Sequence, residues 1–433
     1  MVGGRRAAPA ALVCVLATAA AAQPAPRPAP APRGGAVAED PLDRQRFPFF
    51  PLQSAWITNT GVAPATPAAT DGSHVFVPSS AGELNVFSAA SGAALFSRPY
   101  ASLVAPVVAD GRLLVTGDKV IDALQVADGA LLWKAPLTAR AAFSPVARGG
   151  WVFVALADGL LAGLRADTGA AVWAHPVGIA ATPPVVEGDR LYAATKGGGL
   201  QAIGVTDGAA SWQVALDSDA TALAAVAGHV FVATTGRWLY ALDSAKGRVR
   251  WRFRIQGAAI GLAVDEDRVV AVMLDQSVRA FKIGSGAQAW RQELSFRPAA
   301  GPVVTGASVL ITGFGPSLRV VDRKTGANQG TYALPLPADA SGISLETLAA
   351  GPLVTTGATV FDDGVFLMTQ QGVLHLARRA FDPPPTPLTA LPGTVVPVPA
   401  PPPGMPATPD PPAAATPPAA GTPPNTPPAP PAR

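Results

Sequence analysis

Apolar residues along this chain come in short runs broken by turn residues, not at helical spacing. Trp151-Val152-Phe153-Val154-Ala155-Leu156 is rich in β-branched and aromatic types, and Asp158-Gly159 follows it as a hairpin signal. Leu160 to Leu164 forms the next run. Asp167-Thr168-Gly169 then turns the chain into a segment carrying Trp173. Pro183-Pro184-Val185-Val186 opens a new unit, with Glu187-Gly188 as its turn. Four strands in about 40 residues is the arithmetic of one β-propeller blade.

The unit repeats. Gly-x-x-x-Trp occurs at Gly129 to Trp133, Gly169 to Trp173, Gly208 to Trp212, Gly247 to Trp251 and Gly286 to Trp290. Gly92 to Phe96 is a degenerate copy, and Gly326 followed by Tyr332 is a looser one. Successive glycines are 37, 40, 39, 39, 39 and 40 residues apart, a period that chance does not keep over seven units. Trp56, within Ser54-Ala55-Trp56-Ile57, reads as an eighth outer strand placed before the first full blade. Val365 to Thr369 and Val373 to Leu376 supply inner strands with no Trp strand after them. These halves complete each other. The expected fold is therefore all-β, an eight-bladed β-propeller of four-stranded blades whose N-terminal strand closes the last blade and removes its open edges. Seven blades is the alternative count. Ala333 to Leu348 exceeds the period and reads as an inserted loop near the last blade.

The ends differ from this body. Arg5-Arg6, the apolar stretch Ala11 to Ala19 and the small residues Ala20-Ala21-Ala22 read as a cleavable signal peptide over residues 1–22. The apolar stretch is too short to span a bilayer. Residues 23–40 form an Ala/Pro-rich linker, and 41–382 hold the propeller. Residues 383–433 contain 22 prolines among 51 positions and lack the large apolar side chains that build a core. Cys14, the one cysteine, falls inside the signal and follows Val13, where a lipidation signal needs a small residue. The mature chain would then have no disulfide. The expected location is periplasmic or secreted. Residues 41–382 carry 27 Lys and Arg against 26 Asp and Glu, a balance that does not point to nucleic acid as the partner.

Ala166 to Trp173, and Leu239-Tyr240-Ala241-Leu242-Asp243 leading to Gly247 and Trp251, resemble the tryptophan-docking repeat of the pyrroloquinoline-quinone-like (PQQ-like) propeller family. The resemblance covers about Trp56 to Ala380. It implies that each Trp packs across a blade interface, so Trp133, Trp173, Trp212, Trp251 and Trp290 read as structural. The family includes quinoprotein dehydrogenases. It also includes the non-enzymatic propeller subunit of the outer-membrane β-barrel assembly machinery, to which this chain is closest in type.

A dehydrogenase of this kind implies a calcium site of Glu, Asn and Asp beside the quinone, and often a vicinal disulfide. Here the mature chain would have no cysteine with which to form the disulfide, and the four Asn, at 59, 85, 328 and 425, form no cluster with Asp. Asp265-Glu266-Asp267 sits where other units have a hairpin turn. His74, His175, His229 and His375 lie in separate units, and no nucleophile elbow or metal motif accompanies them. The expectation is no enzyme, no cofactor and no metal. It is instead a monomeric scaffold for envelope or outer-membrane proteins, without a transmembrane segment in the mature chain. A quinoprotein-like enzyme or a quinone-binding protein is the alternative.

Two departures from the repeat mark a candidate partner surface. Gly236-Arg237-Trp238 places a Trp at a hairpin where other units have small residues. Arg248, Arg250, Arg252 and Arg254 alternate with Val249, Trp251, Phe253 and Ile255, which in a regular strand puts four arginines on one face.

Overall fold

The computed structural model describes residues 50–100, 104–314, 317–334, 358–361, 364–369 and 372–380. They form eight antiparallel sheets of four strands each, arranged as a propeller ring, and no helix occurs among them. Blades 1 to 7 follow the chain, over residues 69–99, 107–136, 146–176, 185–215, 220–254, 259–293 and 303–333. The first strands of blades 1 to 7 touch in succession around the axis, and the fourth strands lie outermost. The signal peptide, the linker, most of the inserted loop and the Pro-rich tail lie outside the described residues.

The second and third strands of each blade are buried on both faces. This explains their continuous apolar runs, as in Val75-Phe76-Val77 and Leu191-Tyr192-Ala193-Ala194. Fourth strands, covered on one face only, alternate. Val249–Arg254 runs from exposed Arg250 through half-buried Trp251, exposed Arg252 and half-buried Phe253 to exposed Arg254.

The ring closes as the pattern predicts. Leu52–Asn59, the first described strand, pairs antiparallel with Val373–Arg379 and completes blade 8, with Trp56 opposite Leu376. Trp56 then binds forward into blade 1. Its Nε1 donates to the Ala89 carbonyl at 2.9 Å, and the Thr58 hydroxyl donates to the Gly92 carbonyl at 2.9 Å.

The same handshake joins most neighbouring blades. Trp133 donates to Ala166, Trp173 to Val205 and Trp212 to Ser244, each at 2.9 Å, while Trp251 reaches Ile283 at 2.6 Å and Trp290 reaches Arg323 at 3.0 Å. Each ring rests on the glycine of the next blade's outer turn. At Gly208, with φ +66°, a β-carbon would sit 2.6 Å from the Trp173 ring. The repeat glycine thus has two duties: it takes a left-handed conformation, and it leaves room for the indole. The degenerate copy follows suit without the hydrogen bond, since Phe96 packs on Gly129. Tyr332, the loose copy, instead meets His375 of blade 8, hydroxyl to Nε2, at 2.7 Å.

A second set of links runs between blades at the opposite end of the third strands. The third residue of each third strand is Asn85, Asp122, Ala162, Gln201, Tyr240, Arg279, Arg319 or His375. Six of these contact a polar group of the preceding blade or the segment leaving it. Asp122 meets the Tyr100 hydroxyl, and Gln201 Nε2 donates to the Val177 carbonyl at 3.2 Å. Tyr240 meets Asp217; Arg279 donates to Gln256 and Arg319 to Ser295, both at 3.3 Å; His375 takes Tyr332. Blade 3 has only Ala162 at this place.

Candidate partner surface

The third strand of blade 5, Trp238–Asp243, pairs with the fourth, Val249–Arg254, with Trp238 opposite Arg254 and Tyr240 opposite Arg252. Directly opposed residues share a face of the sheet. Both guanidinium groups accordingly lie over the Trp238 indole, Arg252 Cζ at 4.6 Å from the ring centroid and Arg254 Cζ at 5.1 Å. A cation within about 6 Å of an indole face is held by the ring quadrupole. Hairpin and outer strand therefore build one patch at one end of the blade.

Trp238 is half-buried rather than fully exposed, because it packs beside Tyr240 against the core cluster between blades 4 and 5 as well as under the arginines. Arg237, exposed, precedes it with φ +64°, a left-handed conformation that the hairpin imposes on a non-glycine residue. The hairpin is anchored from the preceding segment. Gly236 N donates to Ser218 Oγ at 2.7 Å, and the Thr234 hydroxyl donates to Asp217 at 3.0 Å. Burial and the neighbouring Asp217 raise the Tyr240 phenol above its ordinary range, while Arg252 acts in the opposite sense.

The four arginines do not share one face. Ala241 pairs with Trp251 and Leu242 with Val249, so Arg250 is an extra residue and the strict alternation breaks there. Arg252 and Arg254 keep the Trp238 face. Arg250 is drawn to the Asp243 carboxylate in the outer turn, and that bond holds Asp243 below the usual carboxylate range. Arg248 lies in that turn, before the strand begins. The geometry thus assembles Arg237, Trp238, Arg252 and Arg254, and it adds Tyr240 and Asp217. Tyr240 was legible in principle, since Trp238 and Tyr240 are two apart on a strand. Asp217, brought in from the segment between blades 4 and 5, carried no signal.

No group of three or more His, Cys, Asp or Glu side chains is placed to hold a metal ion among the described residues. The histidines lie in blades 1, 3, 5 and 8. Asp265 serves its own turn, accepting from the backbone N–H of Asp267 and of Arg268 at 2.7 Å, and lies 3.4 Å from Arg323.

Eight blades, six of them docked through a tryptophan and the ring closed by the N-terminal strand, define a PQQ-like repeat propeller. A family model described as outer membrane protein assembly factor BamB matches residues 53–203, 117–227 and 200–381, and the chain belongs to that family. No curated protein sequence matches it. Among solved structures, BamB from Moraxella catarrhalis superposes with a TM-score of 0.61 at 16% identity, over 76% of this chain and 99% of that one. A computationally designed protein, Ika8, gives 0.63 at 15% identity over 74% and 97%. Saccharomyces cerevisiae Sqt1 gives 0.61 at 7% identity over 75% and 98%. At such identities these likenesses show the fold alone.

Proposed function

We propose that this chain is an exported, non-enzymatic scaffold of the cell envelope that serves outer-membrane protein assembly. Family membership across residues 53–381 carries the reading. The blade 5 patch is its partner surface. Arg252 and Arg254 are exposed, form no ion pair with a carboxylate among the described residues, and flank an indole. Trp and Arg are the residues most enriched in interface hot spots, and exposed guanidinium groups favour a partner with acidic side chains.

The test is site-specific. A photo-crosslinking residue in place of Arg254 should capture a component of the outer-membrane assembly machinery in intact cells. Arg252→Ala with Arg254→Ala should weaken that same association. Capture of a cytochrome instead would favour a quinoprotein-like electron-transfer role and displace the scaffold reading.

A further inference from the structure

The fourth strand of each blade has no neighbour on its outer side within its sheet. In blade 5 the register shows which groups that side presents. Ile255 N donates to the Arg237 carbonyl at 2.9 Å, so Trp238 and Arg254 oppose one another without exchanging hydrogen bonds. Alternation then turns the N–H and C=O of Phe253 into the ladder and those of Arg252 and Arg254 outward. The same register points the nitrogens of Pro99, Pro136 and Pro176 outward in blades 1 to 3, since Tyr100, Leu137 and Val177 donate to Gly82, Lys119 and Gly159. Proline there offers no outward donor and refuses an added strand. Blades 4 to 7 carry Ala215, Arg254, Glu293 and Ala333 at this position and keep the donor. Blade 6 neutralises itself, with Arg291 and Glu293 paired at 3.2 Å. Blade 5 instead presents two like charges.

We propose, on the reading of this patch as the partner surface, that blade 5 takes its partner as an added β-strand along Arg252 to Arg254. The occupant is an extended segment of a protein with acidic side chains at alternate positions. The outward backbone groups of Arg252 and Arg254 supply its ladder, as in other strand additions to a free sheet edge. Side chains two apart on a strand fall on one face. Arg252 and Arg254 are exposed together on the Trp238 face and pair with no carboxylate among the described residues, so carboxylates at every second position of the added strand meet them. A second copy of the same strand would set arginine against arginine, which like charges oppose.

The probe is a short peptide alternating glutamate with threonine, and its comparator has the same composition with the glutamates consecutive. The full chain should bind the alternating peptide saturably and the comparator about tenfold more weakly or worse. Amide hydrogen exchange at Arg252 and Arg254 should slow on binding, while the Phe253 amide, already in the ladder, changes little. Arg254→Pro should keep the wild-type circular dichroism, because three blades hold proline at this position. It should bind about tenfold more weakly than Arg254→Ala, since it removes a backbone donor and sets the ring against the incoming strand. Glu293→Pro, the same change in blade 6, should bind as wild type does. Equal binding by Arg254→Pro and Arg254→Ala, equal losses at Glu293→Pro, or unchanged exchange at the two arginine amides would overturn strand addition, even with an assembly component captured at Arg254. Peptide binding with the expected signatures but no such capture would support strand addition and sink the assembly role.

Discussion

The indole of Trp173 rests on Gly208 so closely that a β-carbon at that glycine would lie 2.6 Å from the ring, while its Nε1 binds the Val205 carbonyl at 2.9 Å. One residue thus holds blade 3 to blade 4 by area and by a hydrogen bond. Trp173→Ala should cost about 3 kcal/mol, the low end of the range for a large aromatic, because the docked indole is half-buried. Gly208→Ala should also destabilise strongly, because it combines a left-handed φ with a steric conflict. Chemical denaturation of both variants measures this. Wild-type stability in either would remove the docking role.

Ring closure depends on Trp56 in the same way. Deleting residues up to Thr60 takes away the fourth strand of blade 8 and the Trp56 bond to Ala89. The exposed edges should cause aggregation or a large drop in melting temperature. Deleting residues 383–433 should change neither. Light scattering and thermal melts of the two truncations test the contrast.

His375, 1% exposed, makes the closing blade sensitive to acid. Burial lowers its imidazole to about 4 from an ordinary 6.5. Between those values the unfolded chain binds the proton and the folded chain does not. The stability contributed is therefore complete above about pH 6.5 and is lost as pH falls towards 4. The full loss is on the order of 3 kcal/mol, from about 1.4 kcal/mol per pH unit. Melting temperatures at pH 7.5 and 4.5 should diverge for wild type and converge for His375→Leu. A parallel decline in both would acquit this histidine.

In blade 5, Arg252→Ala with Arg254→Ala should leave the melting temperature within about 1 °C of wild type, since both side chains are exposed and surface changes are energetically small. Trp238→Ala should cost about 1 kcal/mol, because that ring is half-buried. Both should weaken partner binding, the arginine pair less so at high salt, where exposed charges are screened. Binding isotherms at 50 and 500 mM salt on the captured partner decide it. Unaltered affinity would leave the patch a packing feature.

Titration with PQQ and calcium should give no dye-linked oxidation of alcohols or sugars. Reconstituted turnover would place the chain with the quinoprotein enzymes of its fold.

What the sequence disclosed depends on whether a feature repeats. The docking tryptophans and their glycines recur in near-identical form about every 39 residues, so blade count, closure and the structural role of Trp173 could all be read before any coordinates. The links at Asp122, Gln201, Tyr240, Arg279, Arg319 and His375 occupy one structural position, yet each solves the contact with a different chemistry. No residue pattern announces them. Ala162 is conspicuous only once its seven counterparts are aligned in space. The union of Trp238 with Arg254 rests on strand register, and the dispersal of the arginine row rests on one extra residue, Arg250, which has no sequence signature.

The strand that seals the ring is translated early and satisfied late. Trp56 precedes its partner Leu376 by 320 positions. At roughly 5–20 residues per second of synthesis, that is a wait of roughly 15–60 s. Through that interval seven sheets can stack as an open arc while Leu52–Asn59 has nothing to pair with. The wait exposes a β-prone segment to any other chain offering a free edge, so the shape that ends without edges must pass through one that has two.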